Sequence, residues 1–159
     1  DWVTKQSHSD PHVMGPCCAG PEAAFSNYSE AQYGNRTIRW IKWMGVVEPD
    51  TPWFAYIGTT GPHMSEIPAW WHRSAVVAMK DAGVRAPRTP GFNAHAADKY
   101  GPLFATQPAL DASALAVVDQ QYRSRLGTLL SIDDMVAGLV SALHDFRILN
   151  RTYIIFTSE

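Results

Sequence analysis

One histidine in this sequence stands where a side chain would meet a ligand. His63 follows the block Trp53-Phe-Ala-Tyr-Ile57, in which five aromatic and aliphatic residues occur without polar alternation. Such a block predicts a strand buried on both faces, as in a parallel sheet, and Gly61-Pro62 predict the turn that ends it. Ligands of open α/β sheets bind outside the carboxyl ends of the strands, so we expect His63 in that crevice. An imidazolium donates hydrogen bonds to an anionic oxygen, and the neutral ring can bind a metal.

Glu159 occupies the equivalent place after a second apolar block. The run Tyr153-Ile-Ile-Phe156 predicts another buried strand, and Glu159 follows it closely. Carboxylate oxygens are the ligands that a hard cation such as Ca²⁺ prefers, so Glu159 is a candidate metal ligand. A buried strand normally continues into a surface loop, and the sequence opens at Asp1 without a methionine. We therefore expect an internal fragment of a longer protein.

Three of the four asparagines lie in glycosylation sequons. These are Asn27 in Asn-Tyr-Ser, and Asn35 and Asn150 in Asn-Arg-Thr. A sequon marks an acceptor for N-linked glycans only in a protein that enters the secretory pathway. The sequence therefore predicts three glycosylation sites and a secreted or lysosomal protein.

Composition and charge exclude two classes of partner. The chain is 46% hydrophobic, which is enough for the core of one domain. Its 13 basic and 15 acidic residues give a net charge of -2, and no basic cluster stands out. Neither nucleic acid nor an acidic membrane surface is predicted as a partner. No uninterrupted apolar run approaches the roughly 20 residues that span a bilayer, so we expect no membrane partner of that kind either.

The first half of the chain predicts one short helix between irregular segments. Residues 1–33 show no periodicity and are predicted to be irregular. Thr37 is a candidate N-cap, apolar residues follow it at helical spacing, and Gly45 is a candidate stop, which predicts about three helical turns. Residues 61–112 contain too many prolines for long regular elements, and a loop of that length is usually functional.

A long helix and the second strand complete the predicted order. After Asp111, apolar residues follow three- and four-residue steps for about thirty residues. The stripe passes Ser131, a possible capping-box start of a second helix, nearly in phase, so one continuous helix is preferred. Helix, strand, long insertion, long helix and strand over residues 34–159 is the order of a right-handed parallel crossover. It predicts an α/β fold.

Four blocks of the sequence, in this order and at matching intervals, resemble the sulfatases. They are Trp53-Phe-Ala-Tyr-Ile-Gly-Thr-Thr-Gly-Pro-His63, Ala86-Pro-Arg-Thr-Pro-Gly-Phe-Asn93, Tyr122-Arg-Ser-Arg-Leu-Gly-Thr-Leu-Leu-Ser-Ile-Asp-Asp-Met-Val136 and Leu149-Asn-Arg-Thr-Tyr-Ile-Ile-Phe-Thr-Ser158. They cover about residues 35–159 and are most similar to the branch of N-acetylglucosamine-6-sulfatases and algal-type arylsulfatases. The resemblance implies that residues 1–159 are part of a single sulfatase catalytic domain. It also implies an alkaline-phosphatase-like α/β fold, with a mixed sheet flanked by helices.

The resemblance also implies a chemistry. Sulfatases hydrolyse sulfate esters, here a sulfated sugar or an aryl sulfate, with a formylglycine made from cysteine. A Ca²⁺ ion held by carboxylates offsets charge on the sulfate oxygens. His63 matches the histidine that contacts sulfate in this family, and Glu159 falls where the family has the first residue of an Asp-Asn calcium pair.

The nucleophile of the family has no match in this sequence. Formylglycine requires Cys-x-Pro/Ala-x-Arg, whereas Cys17 is followed by Cys-Ala-Gly-Pro and Cys18 by Ala-Gly-Pro-Glu. Neither cysteine is assigned as nucleophile, so no catalytic residue is predicted and we expect the chain alone to be inactive.

Two alternatives remain open at the level of the sequence. One is a phosphatase or phosphodiesterase of the same superfamily, and the other is a non-catalytic truncated homologue that binds sulfated glycans.

Overall fold

The computed structural model describes residues 28–63, 67–94 and 109–158, which belong to two compact units. Unit 1 comprises residues 1–61 and 129–159, and unit 2 comprises residues 62–128. The described residues contain the helices α1 (Ser29–Val47), α2 (Arg73–Asp81) and α3 (Ala112–Asp145), with single 3₁₀ turns at Trp70–His72 and Leu149–Arg151. Helix α3 contributes residues to both units.

Helix α1 begins earlier than the sequence predicted. It starts at Ser29, within the segment expected to be irregular, and continues past Gly45 to Val47. Thr37 is not the N-cap, because its hydroxyl donates to the carbonyl of Tyr33 one turn earlier, at 2.9 Å. A threonine inside a helix can satisfy its hydroxyl in this way, which the sequence alone does not distinguish from capping.

Gly45 serves packing rather than helix termination. A Cβ atom at this position would lie 2.7 Å from Cδ1 of Phe146, closer than real Cβ contacts. The glycine therefore lets the ring of Phe146 lie against the backbone of α1.

The core of unit 1 forms between α1 and the C-terminal part of α3. Ile38 and Ile41 pack with Ala142 and Leu143, and the three-residue step between the two isoleucines places both on one face of α1. Half-buried apolar residues pack around this cluster: Trp40, Trp53, Leu139, Ile148 and Leu149. The rings of Trp40 and Trp53 meet edge to face at 5.2 Å, an arrangement that aromatic pairs favour.

The two predicted strands are not covered on both faces. From Trp53 onward, half-buried and exposed residues alternate, as they do in an extended chain with one packed face. Phe54 is 86% exposed and Tyr56 is 76% exposed, and Tyr153 in the second apolar block is 96% exposed. The expectation of burial on both faces is therefore wrong for the described residues, which also show no paired strands. The α/β class stays a prediction.

Helix α3 confirms the prediction of one continuous helix. It runs for 34 residues through Ser131, whose buried hydroxyl has no hydrogen-bond partner among the described residues and caps no second helix. At its start, Oδ1 of Asp111 accepts hydrogen bonds from the amide of Ala114 at 2.9 Å and the hydroxyl of Ser113 at 2.7 Å. The hydrogen bond from the Ala114 amide, together with that from the Ser113 hydroxyl, holds the pKa of Asp111 below its usual value.

By length and composition alone, α3 is also apolar enough to cross a membrane. Its apolar residues are interrupted by polar ones, so they do not form an uninterrupted apolar run in the sequence. The buried positions Ile132, Met135, Ala142 and Leu143 lie on α3, and the core helix of a folded domain meets the same criterion.

The predicted insertion contains a helix and a close packing contact. Helix α2 follows directly on the 3₁₀ turn Trp70–His72 and has nine residues, whereas the prolines were expected to exclude only long regular elements. In unit 2, a Cβ atom at Gly127 of α3 would lie 2.9 Å from Cγ of Pro68 and would overlap a methyl of Val76. The segment from Pro68 to α2 therefore rests directly on the α3 backbone.

Candidate functional site

The candidate site is the turn that follows the first extended segment. His63 lies at its end, is solvent exposed, and forms no hydrogen bond that can be seen among the described residues. A solvent-exposed imidazole is accessible to an incoming anion and can donate a hydrogen bond to it. The sequence-based placement of His63 beyond an apolar block and a Gly-Pro turn is therefore compatible with ligand contact.

The carboxylate of Glu30 holds the backbone of this turn. Its Oε1 accepts a hydrogen bond from the hydroxyl of Thr60 at 2.7 Å and another from the amide of Gly61 at 2.8 Å. Glu30 is only 1% exposed. It stands in the first turn of α1, where the free amides of the helix also favour negative charge. A residue 31 positions before Gly61 thus holds the backbone amide that lies two residues before His63.

Ser29 completes the set of groups around this carboxylate. Its hydroxyl donates to Oε2 of Glu30 at 2.8 Å and lies 3.0 Å from the hydroxyl of Thr60. The two hydroxyl groups have two protons for three short oxygen–oxygen contacts. When both protons are donated to the carboxylate, the Ser29–Thr60 contact is not a hydrogen bond. We call Ser29, Glu30, Thr60 and Gly61 the Glu30 clamp; all four belong to unit 1.

The charge state of Glu30 follows from these donors. Burial by itself raises the pKa of Glu30. Hydrogen bonds from Thr60, Ser29 and the amide of Gly61 outweigh that effect and hold the pKa below its ordinary value of 4.5. Glu30 is therefore a buried carboxylate at neutral pH, stabilised by neutral donors.

Sequence reasoning missed the clamp. Glu30 falls in the segment predicted to be irregular, and Thr60-Gly61 were interpreted only as part of a turn. An acidic residue beside a serine at a helix start is a recognisable signal, but only the fold shows that its partner is the turn before His63.

The described residues do not form the predicted calcium site. They contain no group of three or more histidine, cysteine, aspartate or glutamate side chains placed to hold a metal ion. Glu159 lies outside the described residues.

The predicted glycosylation sites differ in accessibility. Asn150 is exposed in the 3₁₀ turn Leu149–Arg151. Asn35 lies inside α1 and is 8% exposed, and Thr37 of its sequon is also buried. A glycan needs a surface site, so the fold favours Asn150 and disfavours Asn35. Asn27 lies outside the described residues.

The motif around Arg88 in unit 2 has a structural explanation. Its guanidinium pairs with both oxygens of Asp119 at 2.7 and 2.8 Å, donates to the carbonyl of Ala86, and lies 4.2 Å from the ring centre of Phe92. Burial raises the pKa of Asp119, but the Arg88 guanidinium and the amide of Ala86 outweigh this and lower it. We call this set, Ala86, Arg88, Phe92 and Asp119, the Arg88 staple. Both terminal nitrogens of the guanidinium thus donate to groups of the protein itself.

Comparison with known proteins identifies the family. The sequence model of the sulfatase family matches residues 2–159. The N-acetylglucosamine-6-sulfatase of Homo sapiens is 34% identical over 108 residues, which are 68% of this chain and 19% of that protein. The Bos taurus protein of the same name is also 34% identical over 108 residues, 68% of this chain and 18% of its own length. Sulfatase ppz1 of Metarhizium majus is 27% identical over 142 residues, 84% of this chain and 32% of that protein. No solved structure matches the chain at a comparable level.

The chain belongs to the sulfatase family. The resemblance seen in the four sequence blocks is thereby confirmed. The chain spans about a fifth of the length of the N-acetylglucosamine-6-sulfatases that it matches.

Proposed function

We propose that this chain is part of a sulfuric ester hydrolase that acts on a sulfated sugar or an aryl sulfate. The observation that carries the proposal is His63: an exposed imidazole after an apolar segment, in the sequence block that resembles the sulfatases. In this role the ring donates a hydrogen bond to a sulfate oxygen as charge develops there. Removing one such donor from an enzyme typically costs about 10²–10³ in kcat.

The nucleophile of the family is absent from this sequence. The sequence contains no Cys-x-Pro/Ala-x-Arg motif, so we propose that the 159 residues alone do not turn over. Ca²⁺ remains part of the proposal through the family resemblance, with Glu159 as one candidate ligand. When bound, the cation would offset negative charge on the ester oxygens.

We also propose a secreted or lysosomal location. The support is the set of three sequons, of which the one at Asn150 lies on the surface. The family match makes sulfate-ester chemistry a better-supported proposal than the phosphoryl transfer considered from the sequence.

An aryl sulfate assay tests the proposal at two levels. The 159-residue chain, supplied with Ca²⁺, is expected to show no turnover. The whole protein is expected to hydrolyse the ester, and His63→Ala is expected to lower kcat about 10²–10³-fold. His144→Ala is the matched control, because His144 is exposed at the last turn of α3.

Three outcomes would contradict parts of this proposal. Turnover by the 159-residue chain that disappears in His63→Ala would overturn its inactivity. Equal kcat values for His63→Ala, His144→Ala and the unmodified protein would remove His63 from the site. Binding of heparin without Ca²⁺, together with no turnover by the whole protein, would favour the glycan-binding alternative.

A further inference from the structure

The most unusual side chain in the described part of unit 1 is the carboxylate of Glu30. It is 1% exposed, and every group seen to donate to it is neutral: two hydroxyls and one backbone amide. Burying an ionised carboxylate is costly unless its oxygens are well supplied with hydrogen bonds. Apart from Ser29, its neighbour on α1, the partners seen for it are Thr60 and Gly61 in the turn that leads to His63.

The hydrogen bonds connect two elements that are distant in sequence. The separation is 30 residues for Thr60 and 31 for Gly61. One end of the connection is the first turn of α1, whose later residues Ile38 and Ile41 are fixed in the core of unit 1. The other end is a backbone amide, which cannot change rotamer as a side chain does. The clamp therefore restrains the path of the main chain at Gly61.

We propose that Glu30 is a positioning residue for His63. Its carboxylate fixes Thr60 and Gly61, and the short Pro62 linkage, whose ring restricts φ, transmits that restraint to the next residue. His63 is the second residue of unit 2, so the restraint reaches its main chain only along the sequence from Gly61. The positioning role rests on the proposed function of His63. The hydrogen bonds of the clamp are independent of that function.

A carboxylate suits this task better than a neutral side chain. Hydrogen bonds to an ionised acceptor are stronger than those between neutral groups, and one oxygen can accept from two donors. Glutamine keeps the length of the side chain and one acceptor oxygen, so Glu30→Gln should preserve part of the restraint. Alanine removes both acceptors and should release the turn.

Amide hydrogen exchange of the 159-residue chain tests the clamp. In Glu30→Ala, the amide of Gly61 is expected to exchange at least about tenfold faster, with an intermediate rate in Glu30→Gln. The matched control is Glu48→Ala, because Glu48 is an exposed glutamate at the other end of α1 that binds only Thr51 in the described structure. Core amides of Ile41 and Leu143 report whether the fold has loosened as a whole. Unchanged exchange at Gly61 in Glu30→Ala would overturn the clamp.

The backbone ¹⁵N order parameter of His63 tests positioning. It is expected to fall in Glu30→Ala, to recover partly in Glu30→Gln, and to stay unchanged in Glu48→Ala. A released Gly61 amide with an unchanged order parameter at His63 would overturn the positioning role while leaving the clamp in place.

A double-mutant cycle in the whole protein links the clamp to catalysis. With an aryl sulfate, Glu30→Ala is expected to lower kcat about ten- to a hundredfold, as misplacement of a reacting group does. In a His63→Ala background the same change is expected to have almost no further effect, because both act through one imidazole. Additive losses would overturn the inference. Absence of turnover in the unmodified whole protein would contradict the proposed function instead, and the order parameter of His63 would still decide the positioning role.

Discussion

At the scale of single residues, Glu30 and His63 differ in exposure and in the role proposed for each. His63 is the exposed group that can meet an anion, and Glu30 is the buried group that fixes the chain just before it. A side chain that binds a ligand must be accessible to it. The main chain that carries this side chain must be held in place, and a buried carboxylate with several hydrogen bonds can hold it.

The depressed pKa of Glu30 predicts acid sensitivity of unit 1. Because the folded pKa lies below the ordinary value of 4.5, the ionised clamp contributes stability that is fully present above about pH 4.5. This stability is lost as the pH falls through the lower, folded pKa. Glu30→Gln is expected to cost about 1–3 kcal/mol at pH 7 and to flatten the decline below pH 4.5. Urea unfolding of the 159-residue chain between pH 3 and pH 7 measures both effects.

The control for this experiment is Glu48→Gln. It makes the same chemical change at an exposed glutamate that directly follows α1, and it is expected to alter the free energy of unfolding by less than about 0.5 kcal/mol at every pH. A Glu30→Gln variant that kept the full acid dependence would show that another group is responsible.

Accessibility predicts unequal use of two sequons. When the whole protein is expressed in a secretory host, Asn150 is expected to carry a glycan, because it is exposed in a turn. Asn35 is expected to be unmodified in the folded protein, because it is 8% exposed inside α1. Intact mass before and after deglycosylation of Asn35→Gln and Asn150→Gln distinguishes the sites. A glycan on Asn35 would contradict the placement of this residue in α1.

At the scale of elements, two helical glycines allow a neighbouring side chain to lie directly against the helix backbone. Gly127 lies on α3 beneath Pro68 and Val76, and Gly45 lies on α1 beneath the ring of Phe146. In an exposed helix interior, alanine would be favoured over glycine by about 1 kcal/mol. At these positions the close neighbours reverse that preference.

Gly127→Ala is therefore expected to destabilise unit 2. The added methyl would overlap Val76 and crowd the ring of Pro68, and overpacking of this kind costs about 1–3 kcal/mol. Thermal unfolding and amide exchange in α2 measure the loss. Gly91→Ala is the control, because no atom lies within 4 Å of its added Cβ. Equal stability of the two variants would contradict the packing of α2 on α3.

The Arg88 staple predicts local protection of the segment before Asn93. Asp119 pairs with Arg88 and also accepts the amide of Ala86, while Arg123 of α3 donates to the carbonyl of Val84. Asp119→Ala is expected to release this segment and to speed tryptic cleavage after Arg85 and Arg88 at least severalfold. Asp133→Ala, an exposed aspartate on the same helix, is the control. Equal cleavage rates in the two variants would show that the staple does not hold the segment.

At the scale of the whole molecule, unit 1 exposes two apolar extended segments. The exposed residues are Phe54, Tyr56, Tyr153, Ile154, Ile155 and Phe156. Exposed apolar side chains of this kind are typical of a face that another element covers. This agrees with the proposed α/β fold, in which both segments would be strands of a sheet.

The 159-residue chain is accordingly expected to bind a hydrophobic dye and to self-associate at micromolar concentration. Replacing Phe54 and Tyr56 by serine is expected to reduce both effects, whereas Val46→Ser, at an exposed helix position, is expected to change them little. Dye fluorescence and sedimentation velocity measure the outcome. A strictly monomeric chain without dye binding would contradict the exposure of these segments.

The sequence by itself determined the family and the continuity of the long helix α3. Four blocks at matching intervals identified a sulfatase, and the apolar stripe after Asp111 predicted one continuous helix, because both patterns are local or depend only on spacing. The start of α1 was not predictable in the same way, since its first turn buries Glu30 and small residues instead of a large apolar stripe. Only the tertiary structure decided which groups hold the turn before His63. Glu30 and Gly61 are 31 residues apart, and a hydrogen bond at that separation follows from packing, which no local pattern records.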